Sequence, residues 1–318
     1  MFPVNDIIFI IGIFIIGSLG APTNVQEYEE VGIPFQADDV NFPSAPVNIS
    51  RTAALDANFK FKWVAMDGSI FDENNGVDIR IEVAATTSVS QNAHMIGSRI
   101  IANMLRYAPE SYFEELANNG RVGLFIRTEG STVYPEYEHL RDRPECEGTC
   151  EFDCSNTCTS DGRKYDSLAG LGGRRATCLD DNIMCNSNDP YRSTFNVLSH
   201  EFAHTYHQYA LPVDVQTEIS LAYQNALALG IWDTGSYAMS NELEYFAEAS
   251  TVFFNTNIHG SSTGGMNSCG RLSGFCQNEA EARDWLNFAD NNIYNILVEV
   301  YTNNRPELQG ELAVCTSS

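Results

Sequence analysis

Alternation of apolar and polar side chains first becomes regular at Phe59. Phe59-Lys60-Phe61-Lys62-Trp63-Val64 repeats with period two, and Val77-Asp78-Ile79-Arg80-Ile81-Glu82-Val83 does so more cleanly, so both segments predict half-buried strands. From Ser90 to Leu116 the period becomes helical, with Ile96, Ile100, Ile101, Met104 and Leu105 at helical spacing and an interruption at Pro109. Val122 to Arg127 predicts a short strand. Residues 135–189 are polar and rich in Cys and Gly, and they predict a disulfide-braced loop region. Within it, Leu168-Ala169-Gly170-Leu171-Gly172-Gly173 implies a backbone passing close to something that tolerates only small residues. Helical spacing then returns. Asp189-Pro190 predicts an N-cap and first turn for a helix running to about Ala210, before Pro212. A second helix fits Val213 to Leu229, closed by Gly230; a third starts near Ser240 or Asn241 and runs through Phe254; a last covers roughly Ala280 to Tyr301.

The N-terminus follows a different pattern. Ile7 to Ile16 is nearly unbroken apolar sequence, too short to span a bilayer, and it ends in the small residues Ser18-Leu19-Gly20. Residues 1–20 are therefore expected to be a signal peptide, although Met1 to Asp6 carry no Lys or Arg. Residues 21–50 hold four prolines and five acidic residues and read as a linker or propeptide. The catalytic or binding unit is expected to span 51–318, with a Cys-rich insertion at about 140–189. Asn48-Ile49-Ser50 is a glycosylation sequon, usable at Asn48 if the chain is secreted.

Charge and cysteine content sharpen the class. The 318 residues carry 18 Lys and Arg against 42 Asp and Glu, for a net charge of −24. Loss of residues 1–20, which include one acidic and no basic residue, leaves −23. Such a chain repels phosphate backbones, so nucleic acid is not an expected partner. Nine cysteines follow residue 145, and in an oxidising compartment they read as disulfides. Cys146, Cys150, Cys154 and Cys158 repeat every four residues; on a helix their sulfurs would spread over about 18 Å, too far for one metal. Nine is odd, and Cys315 is a plausible thiol without a partner.

The sharpest chemical signal is His200-Glu201-Phe202-Ala203-His204. Histidines at i and i+4 share one helix face, so both imidazoles reach one metal, and Glu201 projects beside them to accept a proton from metal-bound water. Hydrolytic zinc takes three protein ligands and keeps a position for water. His207 is too far along the axis, about 10 Å from His200, to complete the set. It reads as a residue behind the ligands, on the substrate side, or simply polar toward the cleft. A metzincin would need Gly at 207 and His at 210, where this chain has His207 and Ala210. The later segment Asn241-Glu242-Leu243-Glu244-Tyr245-Phe246-Ala247-Glu248-Ala249 offers carboxylates instead. Glu244 and Glu248 share one face among apolar neighbours and need partners there. Glu244 as ligand and Glu248 as acceptor for a ligand histidine's other N–H would satisfy both, with Glu242 a rival for the ligand role.

The His200-Glu201-x-x-His204 motif, followed by Tyr237-Ala-Met-Ser-Asn241-Glu-Leu-Glu244-Tyr-Phe-Ala-Glu248-Ala, resembles the catalytic domain of anthrax lethal factor and its secreted fungal and invertebrate relatives, gluzincin-type zinc metallopeptidases. The resemblance covers residues 165–255 best and the Cys-rich region not at all. It implies an α+β, zincin-like fold: an N-terminal mixed sheet with the active-site helix, and a mainly helical C-terminal lobe. It further implies His200, His204 and Glu244 as ligands of one Zn2+ and Glu201 as general base. Tyr237 would donate a hydrogen bond to the transition state, Glu248 would orient a ligand histidine, and Leu171-Gly172-Gly173 would line the substrate cleft. The expected protein is a secreted, extracellular endopeptidase acting on protein or peptide substrates, without stable membrane association once the signal is removed. The competing reading is an acidic extracellular matrix component that keeps a zinc site with little or no proteolysis.

Overall fold

The computed structural model describes residue 55 and residues 57–159, 162–260 and 262–316. The expected signal peptide, the linker at 21–50 and the sequon at Asn48 lie outside them.

Among the described residues, six strands form one mixed sheet: β1 (Phe59–Ala65), β2 (Ile70–Phe71), β3 (Arg80–Thr86), β4 (Arg121–Phe125), β5 (Gly170–Leu171) and β6 (Arg175–Leu179). The order is β2-β1-β3-β4-β6-β5. Strands β3, β4 and β6 run parallel, and β2, β1 and β5 are added antiparallel at the two sides. Alternation divides the strands between two faces. Ile81, Val83, Val122, Leu124, Ala176 and Cys178 pack into the large core under the helices. Ala84, Phe125, Leu171 and Leu179 pack oppositely, into a small core with Tyr134, Tyr137, Leu140 and Tyr165 of the segment between β4 and β5. The sheet is thus covered on both faces, as central parallel strands require.

Among the described residues, eight α-helices complete this α+β architecture: α1 (Gln91–Leu105), α2 (Glu110–Asn119), α3 (Asp180–Ile183), α4 (Val197–Tyr209), α5 (Val213–Leu229), α6 (Glu242–Phe253), α7 (Glu279–Ala289) and α8 (Asn291–Thr302). Ser90 caps α1 by accepting from the Ala93 N–H, and Pro109 separates α1 from α2 as expected. Gly230 closes α5 in the left-handed conformation, again as its position predicts.

Several elements depart from the sequence pattern, each for a local reason. The strand expected at 77–83 lies at Arg80–Thr86, because Asn75 accepts from the N–H groups of Val77 and Asp78 and turns the chain there. The helix expected from Asp189 starts at Val197. The Asp189 carboxylate accepts from Tyr191 and Ser193 in a turn, Arg192 and Ser193 adopt positive φ, and Asn196 supplies the cap. The last helix is broken at Asp290, a buried carboxylate held by the Trp232 indole and the Tyr245 hydroxyl. Within the expected loop region at 135–189 runs β6, buried along its whole length. Its Arg175 is offset in charge by Glu82 at 3.0 Å and Glu136 at 3.1 Å.

Four disulfides are present: Cys146–Cys154, Cys150–Cys158, Cys185–Cys315 and Cys269–Cys276. Cys315 is therefore not the odd cysteine. That is Cys178, on the helix-facing side of β6 and fully buried. Among the described residues no helix is long and apolar enough to cross a membrane.

Candidate metal centre

Helix α4 is built to be rigid. Asn196 caps it by accepting from the Ser199 N–H, and the Ser199 hydroxyl bonds both the Asn196 carbonyl and Thr256. Every residue from Val197 to His207 is buried. The i, i+4 spacing brings His200 and His204 together, with their Nε2 atoms 3.1 Å apart and the two rings nearly perpendicular.

Helix α6 packs against α4 and supplies the third group. Asn241 accepts from the N–H groups of Leu243 and Glu244, which fixes the first turn and with it Glu244. One carboxylate oxygen of Glu244 lies 3.1 Å from His200 Nε2 and 3.4 Å from His204 Nε2. Three buried atoms that each carry a lone pair thus converge on one point. Tetrahedral zinc with bonds of ~2.0–2.1 Å holds its ligand atoms about 3.3–3.4 Å apart. The trio of His200, His204 and Glu244 fits such an ion, and it contains no thiolate. Burial alone would raise the Glu244 carboxyl, but the two histidines outweigh it and draw the group down to about 2, so it is a carboxylate.

Glu201 faces the same space from the next position on α4. Burial drives its carboxyl up to about 8, with Glu244 adding to the rise and His204 and the Gly172 N–H opposing it. A cation held by the trio would favour its ionised form. The strand β5 lies directly on this helix. A β-carbon at Gly170 would sit 2.8 Å from Glu201 Cγ, and one at Gly172 would sit 2.7 Å from His204. Thr205 then donates to the Gly173 carbonyl at 2.6 Å. The glycine run does pass close to something that tolerates only small residues, and that something is α4.

Behind the trio, Glu248 is fully buried with Oε1 at 3.6 Å from His200 Nδ1. That oxygen has no hydrogen-bond partner among the described residues, while Oε2 accepts from Asn257 at 2.8 Å. An imidazole that donates its lone pair from Nε2 carries its proton on Nδ1, which is the donor Oε1 lacks. The Tyr237 ring centroid is 6.1 Å from that of His200. Burial and then the Glu244 carboxylate raise its hydroxyl well above the usual range, so it remains an O–H donor.

Two expected candidates fall outside the cluster. Glu242 is only half-buried on α6, and the trio forms without it. His207 is buried against the Phe246 ring at 4.9 Å, and its Nδ1 has no hydrogen-bond partner among the described residues. Burial, then His204, lowers it to about 3, so it is a neutral ring. Two further contacts bear on the cluster, one of them from the glycine stretch expected to line the cleft. Phe195 sets its ring edgewise to His200 at 5.5 Å, and the Gly172 N–H bonds Glu201. The Gly170-x-Gly172 spacing was the signal for the second; nothing in the sequence marks the first.

No protein-family model and no curated protein matches the chain. Among solved structures, the PRO-PRO endopeptidase (PPEP-2) from Paenibacillus alvei aligns at 15% identity and a TM-score of 0.43, over 69% of this chain and 97% of that one. The likeness is too distant to bear on the chemistry of this chain.

Proposed function

We propose that the chain is a secreted zinc-dependent endopeptidase with a zincin-like division into a sheet-bearing lobe and a mainly helical lobe. The observation that carries this reading is the convergence of His200, His204 and Glu244 at 3.1–3.4 Å with Glu201 beside them. His200, His204 and Glu244 would hold the ion. An ion held there would supply the acidity of a bound water molecule and the polarisation of the scissile carbonyl. Glu201 takes the proton of the attacking water and passes it to the leaving amine. Its anchoring by the Gly172 N–H keeps the carboxylate aimed while it exchanges the proton. Tyr237 supplies an O–H to the oxyanion that develops on the substrate. Glu248 holds the proton of His200 on Nδ1 and so keeps Nε2 available.

The position of β5 supports a peptide substrate. It is the last strand of the sheet on the side of α4, so an extended peptide can pair with its outer edge and cross the site in a fixed register. Four disulfides support an extracellular setting.

The test is cleavage of a mixed peptide library by the purified chain, with and without a chelator. Internal cleavage that stops with chelation and returns with zinc is the expected result. A chain that binds zinc stoichiometrically and cuts nothing would overturn the peptidase reading and favour a matrix component that keeps the metal.

A further inference from the structure

One oxygen of Glu248 lies 3.6 Å from His200 Nδ1, and the other is committed to Asn257. Asn257 lies in none of the helices or strands, in the segment after α6, yet its side chain is fully buried. Both ends of its amide are used. The NH2 group donates to Glu248 Oε2 at 2.8 Å, and Oδ1 accepts from the His259 N–H at 2.8 Å. The backbone around it is tied to the segment that leads into α4. Asn257 bridges to Phe195, Asn196 donates to the Thr256 carbonyl at 3.0 Å, and Ile258 donates to the Thr194 carbonyl at 2.8 Å. The Asn257 carbonyl accepts from Asn267 at 3.1 Å. Asn267 is itself held by the Thr263 hydroxyl and the Cys276 N–H, and Cys276 closes a loop with Cys269.

We propose that Asn257 is a positioning residue that sets the orientation of His200 through Glu248. A buried carboxylate held at one oxygen can turn about its side-chain torsions only by breaking that bond. With Oε2 fixed by Asn257, Oε1 stays toward His200 Nδ1. It accepts there only from an imidazole protonated at Nδ1, which leaves the Nε2 lone pair in the trio. Asn257 touches neither the trio nor substrate; its effect reaches the site through one carboxylate. The segment carrying it is also bonded to the entry of α4, so the same residue registers α6 against the start of the metal-binding helix. The inference rests on the zinc reading above.

The test is a zinc-affinity cycle measured by competition with a chelating dye. Asn257→Asp keeps the acceptor for the His259 N–H and removes the donor to Glu248. Zinc affinity should fall roughly 10- to 100-fold, the scale for losing a partner of a metal-ligating histidine, with an unchanged circular dichroism spectrum. In a Glu248→Gln background the same substitution should change affinity less than about threefold, because the path is already cut. Long-range proton–nitrogen spectra of the metal-free chain should show His200 as the Nδ1–H tautomer in the wild type and a tautomer mixture in Asn257→Asp. If Asn257→Asp does not fold, Asn257→Ser carries the same comparison. Wild-type affinity in both backgrounds, or an equal loss in both, overturns the role of Asn257 while the zinc reading stands. A wild-type chain that takes up no zinc overturns both.

Discussion

A β-carbon placed on Gly172 would lie 2.7 Å from the side chain of His204, closer than two such carbons can pack. The end of the edge strand and a histidine of the candidate metal trio therefore share one van der Waals boundary, and the glycine that follows β5 is the reason they fit. Gly172→Ala should push either β5 or the His204 ring away. Overpacking of this kind costs about 1–3 kcal/mol of stability. Zinc affinity should fall with it, by at least about tenfold, the scale of disturbing a ligand's surroundings. Denaturant unfolding and metal titration of the variant measure the two effects. A variant that keeps both would show that the strand yields freely.

On the proposed mechanism, Tyr237 separates binding from turnover. Its hydroxyl lies beside Glu244 and remains protonated, so removing it deletes a donor without deleting a ligand. Tyr237→Phe should lower kcat roughly 10- to 1000-fold with KM and zinc content little changed. Steady-state kinetics on any cleaved peptide decide this. A rise in KM at constant kcat would instead assign the hydroxyl to substrate binding.

Acid sensitivity has a source remote from the metal. His94 on α1 is buried and its Nε2–H donates to the Val83 carbonyl of β3 at 2.8 Å. Burial draws it down to about 4, against an ordinary value near 6.5. Between those values the unfolded chain binds a proton that the folded chain refuses. Stability is therefore complete above about pH 6.5 and is lost as pH falls toward 4, by up to about 3 kcal/mol from this residue. Urea midpoints at pH 7.5 and 5 should differ more for the wild type than for His94→Gln. Equal differences would remove His94 from the pH dependence.

The cysteine assignment is checked by alkylation. Cys178 lies on β6 inside the core, and burial pushes its thiol well up, so the native protein should resist iodoacetamide. In denaturant without reductant one cysteine should react, and peptide mapping should place the label at Cys178. Label at Cys315 would contradict the Cys185–Cys315 bridge.

How far the sequence reaches depends on how local each cause is. His200, Glu201 and His204 were readable because a helix alone brings i and i+4 together. Glu244 and Glu248 were readable because carboxylates among apolar neighbours need partners. Strand β6 was hidden: Arg175 looks like a loop residue until Glu82 and Glu136, from distant parts of the chain, are placed around it. The break at Asp290 depends on Trp232 and Tyr245, also distant. Asn257 sits in a loop with no periodicity, and its partners come from α6, from the entry to α4 and from the loop closed by Cys269 and Cys276. Cysteine spacing assigned no connectivity, and the Cys185–Cys315 bridge spans 130 residues.

The zinc content of the purified chain, compared across three proteins, tests the metal centre most directly. After equilibration with zinc and dialysis, the wild type and Glu201→Gln should each retain one ion per chain, because the proposed mechanism uses Glu201 as a base and not as a ligand, and only the wild type should cleave peptides. Glu244→Gln should lose the ion under the same dialysis. Retention of zinc by Glu244→Gln at the wild-type level, or its absence from the wild type, would contradict a site built from His200, His204 and Glu244.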